Sequence, residues 1–281
     1  MKKIIFSSEF FNIKDTLNCG QIFRFREYKK GYLITSLDKS FYCYNENDLA
    51  VIECEEADEE YVKNFFDLSR NYKAIYESAL DSKIEILLKA SERGKGIRIL
   101  NQDLLEMVFS FIISQNNNIP RIKKIIEKLC IFRGEKKTFL GEEYFAFPKL
   151  ENLVNLPLEF YKEIGLGYRS EYILNLVKLL NEGLDFNAFK SLEEEKLYKN
   201  LVKIKGIGPK VAECIMLFGY HKERVFPVDT WIEKVYRENF NGNLKSIKEI
   251  SEYFVNRFKD NSGYFQQYLF YYKRSIEGGR E

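Results

Sequence analysis

The run Lys203-Ile204-Lys205-Gly206-Ile207-Gly208-Pro209-Lys210-Val211-Ala212-Glu213-Cys214 constrains this chain more than any other stretch. Two glycines one residue apart stop one helix, and Pro209 opens another in its first turn, where a missing N–H costs nothing. Upstream, Ser191 with Glu194 reads as a capping box for a helix through Leu192, Tyr198, Leu201 and Val202. Downstream, Val211, Cys214, Ile215 and Phe218 fall at i, i+3, i+4 and i+7. The pattern predicts a helix-hairpin-helix. Phe226-Pro227-Val228-Asp229-Thr230-Trp231 then leads into a third helix, with Asp229 suited to its N-cap.

Glycines let a backbone approach a phosphate closely, and the free N–H groups at the start of the second helix point at an anion. Lys203, Lys205 and Lys210 add charge that supplies affinity without sequence preference. A plain αα-hairpin with a glycine cap would use the same glycines. Lys210 carries the distinction. The positive end of the helix dipole and the neighbouring cations both favour a neutral amine there, which would make it a nucleophile. A capping Asp229 would stay ionised and could stabilise a cation developing opposite that amine.

Composition excludes more than it selects. With 281 residues and 45% hydrophobic content the chain can bury a sizeable core. A net charge of +2 does not announce a nucleic-acid binder, so such a surface must come from segregation. An acidic run between residues 46 and 60 lacks any basic residue and reads as a solvated face, whereas the hairpin is basic. Five scattered cysteines, Cys19, Cys43, Cys54, Cys130 and Cys214, have no Cys-x-x-Cys spacing, so neither a disulfide framework nor a zinc site is expected. The only histidine, His221, has no partner motif and reads as a surface-loop residue, which argues against Ser/His/Asp chemistry. Ile4-Ile5-Phe6 is too short for a signal peptide and no run approaches a membrane span, so a cytoplasmic protein is expected.

Five short aromatic and β-branched runs before residue 57, at residues 3–6, 21–26, 31–36, 40–44 and 50–54, predict an antiparallel meander. From Asp58 the apolar period becomes helical. Gly94-Lys95-Gly96 is the candidate boundary, after which Asn101 or Asp103 can cap a long apolar helix and everything downstream reads as helical. The expectation is an α+β chain, with an N-terminal antiparallel β-sheet domain with helices at 1–96 and an all-α domain at 97–281.

Other motifs have ordinary readings. Gly20 suggests a strand bulge or a close backbone approach. Asn116-Asn117-Asn118 before Pro120 suggests a polar turn ending a helix. Gln266 and Phe270, four apart in an aromatic C-terminal segment, share one helix face that is either core or ligand-facing.

Together these motifs resemble the helix-hairpin-helix DNA glycosylases, and more narrowly the 8-oxoguanine DNA glycosylase/lyase family. The resemblance covers nearly the whole chain: Cys19-Gly20-Gln21-Ile22-Phe23-Arg24, Asn116 to Ile122, Gly165-Leu166-Gly167-Tyr168-Arg169, the hairpin with Pro227-Val228-Asp229, and Gly263 to Phe270, in that family's order. Unlike endonuclease III relatives, this chain has no cysteine after Cys214, so no iron–sulfur cluster is expected. The resemblance implies excision of 8-oxoguanine from double-stranded DNA, preferably opposite cytosine, followed by strand cleavage through a Schiff base, by a monomer without metal or other cofactor. It implies Lys210 as nucleophile and Asp229 as its electrostatic partner. Gly20, Cys214, Pro227, Gln266 and Phe270 would hold the flipped base, with the Gly20 carbonyl accepting the N7 hydrogen that only the oxidised base carries. Asn116, Arg121, Tyr168 and Arg169 would fill the gap, read the base left behind and wedge the duplex. Gly206, Gly208 and Val211 would contact the DNA backbone, and hairpin carbonyls could hold a structural monovalent cation. Trp231 departs from a histidine common in eukaryotic members, which puts that phosphate contact in doubt. A non-catalytic DNA-binding module needs the glycines but not Lys210, Asp229 and Gln266 together, and a glycosylase for other damaged purines does not need Gly20 with Gln266 and Phe270.

Overall fold

A computed structural model describes residues 1–278. Strand β1 (Lys2–Ser7) and helix α1 (Ile13–Asn18) precede β2 (Phe25–Tyr28), β3 (Gly31–Ser36), β4 (Lys39–Glu46) and β5 (Leu49–Cys54). The helices α2 (Glu59–Phe65), α3 (Tyr72–Asp81), α4 (Glu85–Gly94), α5 (Leu104–Ser114) and α6 (Ile119–Arg133) follow. A hairpin of β6 (Lys136–Phe139) and β7 (Glu142–Phe145) then leads to α7 (Leu158–Glu163), α8 (Ser170–Asn181), α9 (Glu194–Leu201), α10 (Pro209–Phe218), α11 (Thr230–Asn239), α12 (Ile247–Phe258) and α13 (Ser262–Glu277). This is the expected α+β fold.

Strands β2 to β5 form the expected meander, but β1 joins the far edge of β5, with Ile4 opposite Ile52, giving the order β1-β5-β4-β3-β2. Residues 21–24 stay outside the sheet, because β2 begins only at Phe25. Alternation sorts the strands by face. Ile34, Phe41, Cys43 and Ile52 pack on Phe11, Leu17, Phe65 and Phe66, whereas Leu33, Tyr42, Tyr44 and Val51 turn the other way.

That second face is covered by Phe139 and Tyr144 of the β6–β7 hairpin, which corrects the expectation that everything after residue 96 is helical. The hairpin turns through Leu140 at φ 52° and Gly141 at φ 80°. Positive φ at both positions suits a two-residue hairpin turn, but leucine there carries none of the usual Asn-Gly signal. Its placement is fixed further by the Tyr144 hydroxyl donating to Asp38 O at 2.8 Å and by Phe147 N donating to Leu37 O at 2.7 Å.

Helix α5 is apolar on almost every side and runs through the helical core, capped by Asp103, whose Oδ1 accepts from Glu106 N at 3.0 Å. Glu106 is itself buried and bridges to Arg24 at 3.2 Å while accepting Leu37 N at 2.6 Å, so one carboxylate ties α5 to the edge of the sheet. Helices α3 and α4, although they precede Gly94-Lys95-Gly96, contribute Tyr72, Ile75, Leu87 and Ala90 to the helical core. Gly94 is why α4 can lie close to α13: a Cβ there would sit 2.7 Å from the Tyr268 ring.

The segment between sheet and helices is held by Arg98, which is almost completely buried. Its Nε donates to Phe66 O at 2.8 Å, Nη1 to Phe10 O at 3.3 Å, and Nη2 to Asp67 O and Arg70 O, with the guanidinium 4.0 Å from the Tyr72 ring centre. Nearby, His221 is mostly buried with Nε2 3.4 Å from Asp67 Oδ2, which corrects its surface-loop reading: the loop folds back onto the turn that Arg98 holds.

Two stability predictions follow from buried polar groups. Arg98→Met keeps the apolar stem but strands the carbonyls, and is expected to lower the unfolding free energy by about 3 kcal/mol or more, read from the urea midpoint. Glu213 on α10 accepts from the Ser251 hydroxyl of α12, and its other oxygen is buried without a partner. Burial pushes this carboxyl up from 4.5 to about 8 despite the Ser251 donor. A group raised on folding contributes stability that is intact in acid and lost as pH rises through the folded value. Glu213→Gln should therefore matter little at pH 5 and stabilise by about 2–4 kcal/mol at pH 8, measured by urea unfolding at both.

Candidate active site

The hairpin is built from α9, a tight turn and α10, but α9 starts at Glu194 with Glu193 at its N-cap and no side-chain cap. The Ser191–Glu194 capping box is therefore not formed, since Ser191 lies two residues ahead of the cap. Gly206 has φ +94° and a Cβ there would lie 2.6 Å from Tyr172, so the turn requires glycine twice over. Gly208 is the N-cap of α10 and a Cβ on it would meet nothing within 4 Å, leaving open space above the first N–H groups of the helix. Val211 is buried, so only its main chain can face that space. Lys203 and Lys205 are exposed, Lys205 pairing with Glu171 at 3.1 Å.

Lys210 lies in the first turn of α10 with its Nζ 5.5 Å from the Phe111 ring centre, and buried Cys214 follows one turn later. Asp229 caps α11, its Oδ1 accepting Trp231 N at 3.0 Å and Ile232 N at 2.9 Å. Burial raises the Asp229 carboxyl, opposed by these N–H groups and by Lys210. For Lys210 burial works against the ammonium, but Cys214 and Asp229 outweigh it and the pKa is raised. This reverses the expected neutral amine. The neighbouring lysines point to solvent, and Cys214 first, then Asp229, set the direction. Burial pushes the Cys214 thiol up to about 11, so at neutral pH it is an uncharged surface.

Helix α13 passes the other side of this groove. Gln266 is 4% exposed; its Nε2 donates to Pro227 O at 3.0 Å, and its Oε1 is buried without a partner. Phe270, one turn on, is partly buried beside Gly20, and the Arg274 guanidinium lies 5.0 Å from its ring centre. Gly20 is not a strand residue but a bend after α1 with φ +87°, where a Cβ would lie 3.2 Å from both Phe270 and Arg274. Trp231 is partly buried and carries the Lys234 ammonium 4.8 Å from its ring.

A second group of side chains flanks the hairpin. Asn116 is exposed at φ 45° after α5, and Arg121 in the first turn of α6 is exposed, donating once to Gly165 O at 3.2 Å. Tyr168 is 53% exposed. Arg169, expected beside them as a free reader, is only 3% exposed: its Nε donates to Gln115 O at 2.7 Å and its Nη2 to Asn116 O at 2.7 Å. In this DNA-free chain it braces the Asn116 loop. Gln115, which sequence reasoning missed, completes the brace by donating to Gly206 O at 2.7 Å. Its only signal was its place at the polar end of an apolar helix.

Lys210, Asp229, Cys214, Gln266, Phe270 and Gly20 thus border one groove between the bend after α1 and the helical body, and the Asn116–Tyr168 group stands beside the hairpin. The N-terminal domain of 8-oxoguanine DNA glycosylases matches residues 3–108, and the HhH-GPD superfamily of base excision DNA repair proteins matches residues 109–260. A protein of Methanothermobacter thermautotrophicus called "Probable N-glycosylase/DNA lyase" is 30% identical over 76% of this chain and 74% of its own length. The N-glycosylase/DNA lyase of Saccharomyces cerevisiae is 31% identical over 72% of this chain and 58% of that protein. The 8-oxoguanine glycosylase/lyase of Clostridium acetobutylicum, solved with double-stranded DNA containing cytosine opposite 8-oxoG, is 36% identical with a TM-score of 0.90, covering 95% of this chain and 93% of that one. With both family models matched in chain order and these relatives covering most of its length, this chain belongs to the 8-oxoguanine DNA glycosylase family of the helix-hairpin-helix superfamily of base excision DNA repair proteins.

Proposed function

We propose that this chain removes 8-oxoguanine from double-stranded DNA and then cleaves the strand at the abasic site, with Lys210 as the nucleophile of both steps. The observation that carries this reading is the convergence on one groove of a lysine in a helix N-terminal turn, a capping aspartate and a buried glutamine oxygen without a partner. Residues 1–96 contribute Gly20 to the groove and residues 97–281 contribute the hairpin. The chain works as a monomer on DNA in the cytoplasm, and Schiff-base chemistry asks for no metal or redox cofactor.

The duplex backbone approaches Gly206, Gly208 and the N–H of Val211, and the damaged nucleotide leaves the stack. Gln266 meets the Watson–Crick edge of the base near Pro227, and Cys214 and Phe270 take its two faces. Lys210 starts as an ammonium, and the proton it gives up on attack is taken by the departing base. Its amine then bonds to C1′ while the C1′–N9 bond breaks and the electron pair leaves with the base. Asp229 stabilises the positive charge on the sugar. Ring opening gives an imine to Lys210, and loss of a C2′ proton expels the 3′ phosphate.

Two readouts test the chemistry. Lys210→Gln should keep duplex binding but lose excision and the borohydride-trapped product; a trapped product from this variant would remove Lys210 from the role. Asp229→Asn keeps a capping oxygen, so excision should fall by about 100-fold or more with little change in binding. The pH midpoint for trapping on abasic DNA should also move to lower pH, because Asp229 raises the lysine.

The base left behind is read by Arg121 and by Arg169, whose donors also hold Gln115 O and Asn116 O. Cytosine offers N3 and O2 acceptors to guanidinium groups, and the larger adenine presents a donor. Single-turnover excision opposite each of the four bases should favour cytosine. Arg121→Ala should reduce that preference without loss of stability, whereas Arg169→Ala should lose both, since its donors also hold Gln115 and Asn116. An Arg169→Ala protein of unchanged stability and unchanged preference would exclude both roles.

A further inference from the structure

The bend after α1 is held by its carbonyl groups, and by side chains distant in sequence. Arg274 donates through Nη2 to Asn18 O, Gln267 through Nε2 to Cys19 O at 2.7 Å, and Gln102 through Nε2 to Gln21 O at 2.8 Å. Among the described residues none donates to Gly20 O. Gly20 is partly exposed, and its carbonyl is the untied one between two that side chains hold.

The geometry explains what the ties do. Each carbonyl belongs to a rigid peptide plane. Fixing the Cys19 carbonyl and the Gln21 carbonyl fixes the planes on both sides of the Gly20 carbonyl and so limits how far the plane between them, reached through φ +87° at Gly20, can turn. Gln267 is the decisive tie: it is buried, it follows Gln266 on α13, and its Nε2 links that helix directly to the bend that carries Gly20.

We propose that Gln267 is a positioning residue for selection of the damaged base, holding the Cys19–Gly20 backbone so that the Gly20 carbonyl stands ready to accept the N7 hydrogen of 8-oxoguanine. This rests on the reading of Gly20 as the discriminating contact. Undamaged guanine presents a lone pair at N7, so a rigid carbonyl repels it, and a carbonyl free to turn away would tolerate it.

The test separates the proposal from the reading beneath it. In a Lys210→Gln background, which cannot react, duplexes carrying 8-oxoguanine, 8-bromoguanine or guanine opposite cytosine are titrated; 8-bromoguanine keeps bulk at C8 but has no N7 hydrogen. With Gln267 intact, 8-oxoguanine should bind tightest. Adding Gln267→Met, which retains length without a donor, should shrink the 8-oxoguanine to 8-bromoguanine ratio about tenfold. Borohydride trapping by the single Gln267→Met variant on abasic DNA, which offers no base to read, should stay within about twofold. Equal binding of the two modified bases with Gln267 intact would overturn the reading of Gly20. Discrimination unchanged by Gln267→Met, or lost only in step with trapping, would overturn the positioning role. Gln102→Met, acting on the opposite plane, should reproduce the loss, and its failure to do so would equally count against the proposal.

Discussion

Four main-chain carbonyls converge on the guanidinium of Arg98, and the arrangement of the two halves of the molecule depends on that convergence. A buried cation is tolerated only when its donors are satisfied, so the segment around residue 98 cannot move without leaving several polar groups unpaired. Its own carbonyl accepts from Gln21 Nε2 at 2.7 Å, and Gln21 Oε1 accepts Leu100 N at 2.9 Å. The bend that carries Gly20 is thereby tied to the same point that joins sheet to helices. Site geometry and interdomain geometry are one network.

The electrostatics of the groove make a resting state of Lys210 as an ammonium. Cys214 and the Asp229 carboxylate that would stabilise a sugar cation both favour the proton on Lys210. On the proposed mechanism Asp229 then serves twice, favouring the ammonium before substrate arrives and stabilising the sugar cation after it. A lysine kept protonated until then is a poor nucleophile toward anything else.

How much of this was legible in the sequence depended on whether local chemistry determined the feature. The hairpin was readable because Gly206 needs a positive φ beside Tyr172, a requirement no other residue meets as well, and Pro209 opens the next helix. Asp229 as a cap was readable for the same local reason. The β6–β7 hairpin was not, since leucine at a left-handed position hides the turn. Nor was the sharing of α3 and α4 with the helical core, because the fit of Gly94 against Tyr268 involves residues far apart in the chain. Gln267 looked like one more member of an aromatic-rich helix, and its partner at Cys19 is distant in sequence.

That last contact has a kinetic consequence. Cys19 and Gln267 are separated by 248 residues, and α13 packs on both α4 and α11. Contacts of such separation form late, after nearly all the chain entropy has been lost. A polypeptide leaving the ribosome can form its hairpin, with the anion-binding turn, before α13 has emerged. It can therefore hold DNA before it can judge a base. Gln266 and Gln267 arrive together on one helix, so their ties to Pro227 and to Cys19 form in a single late docking event.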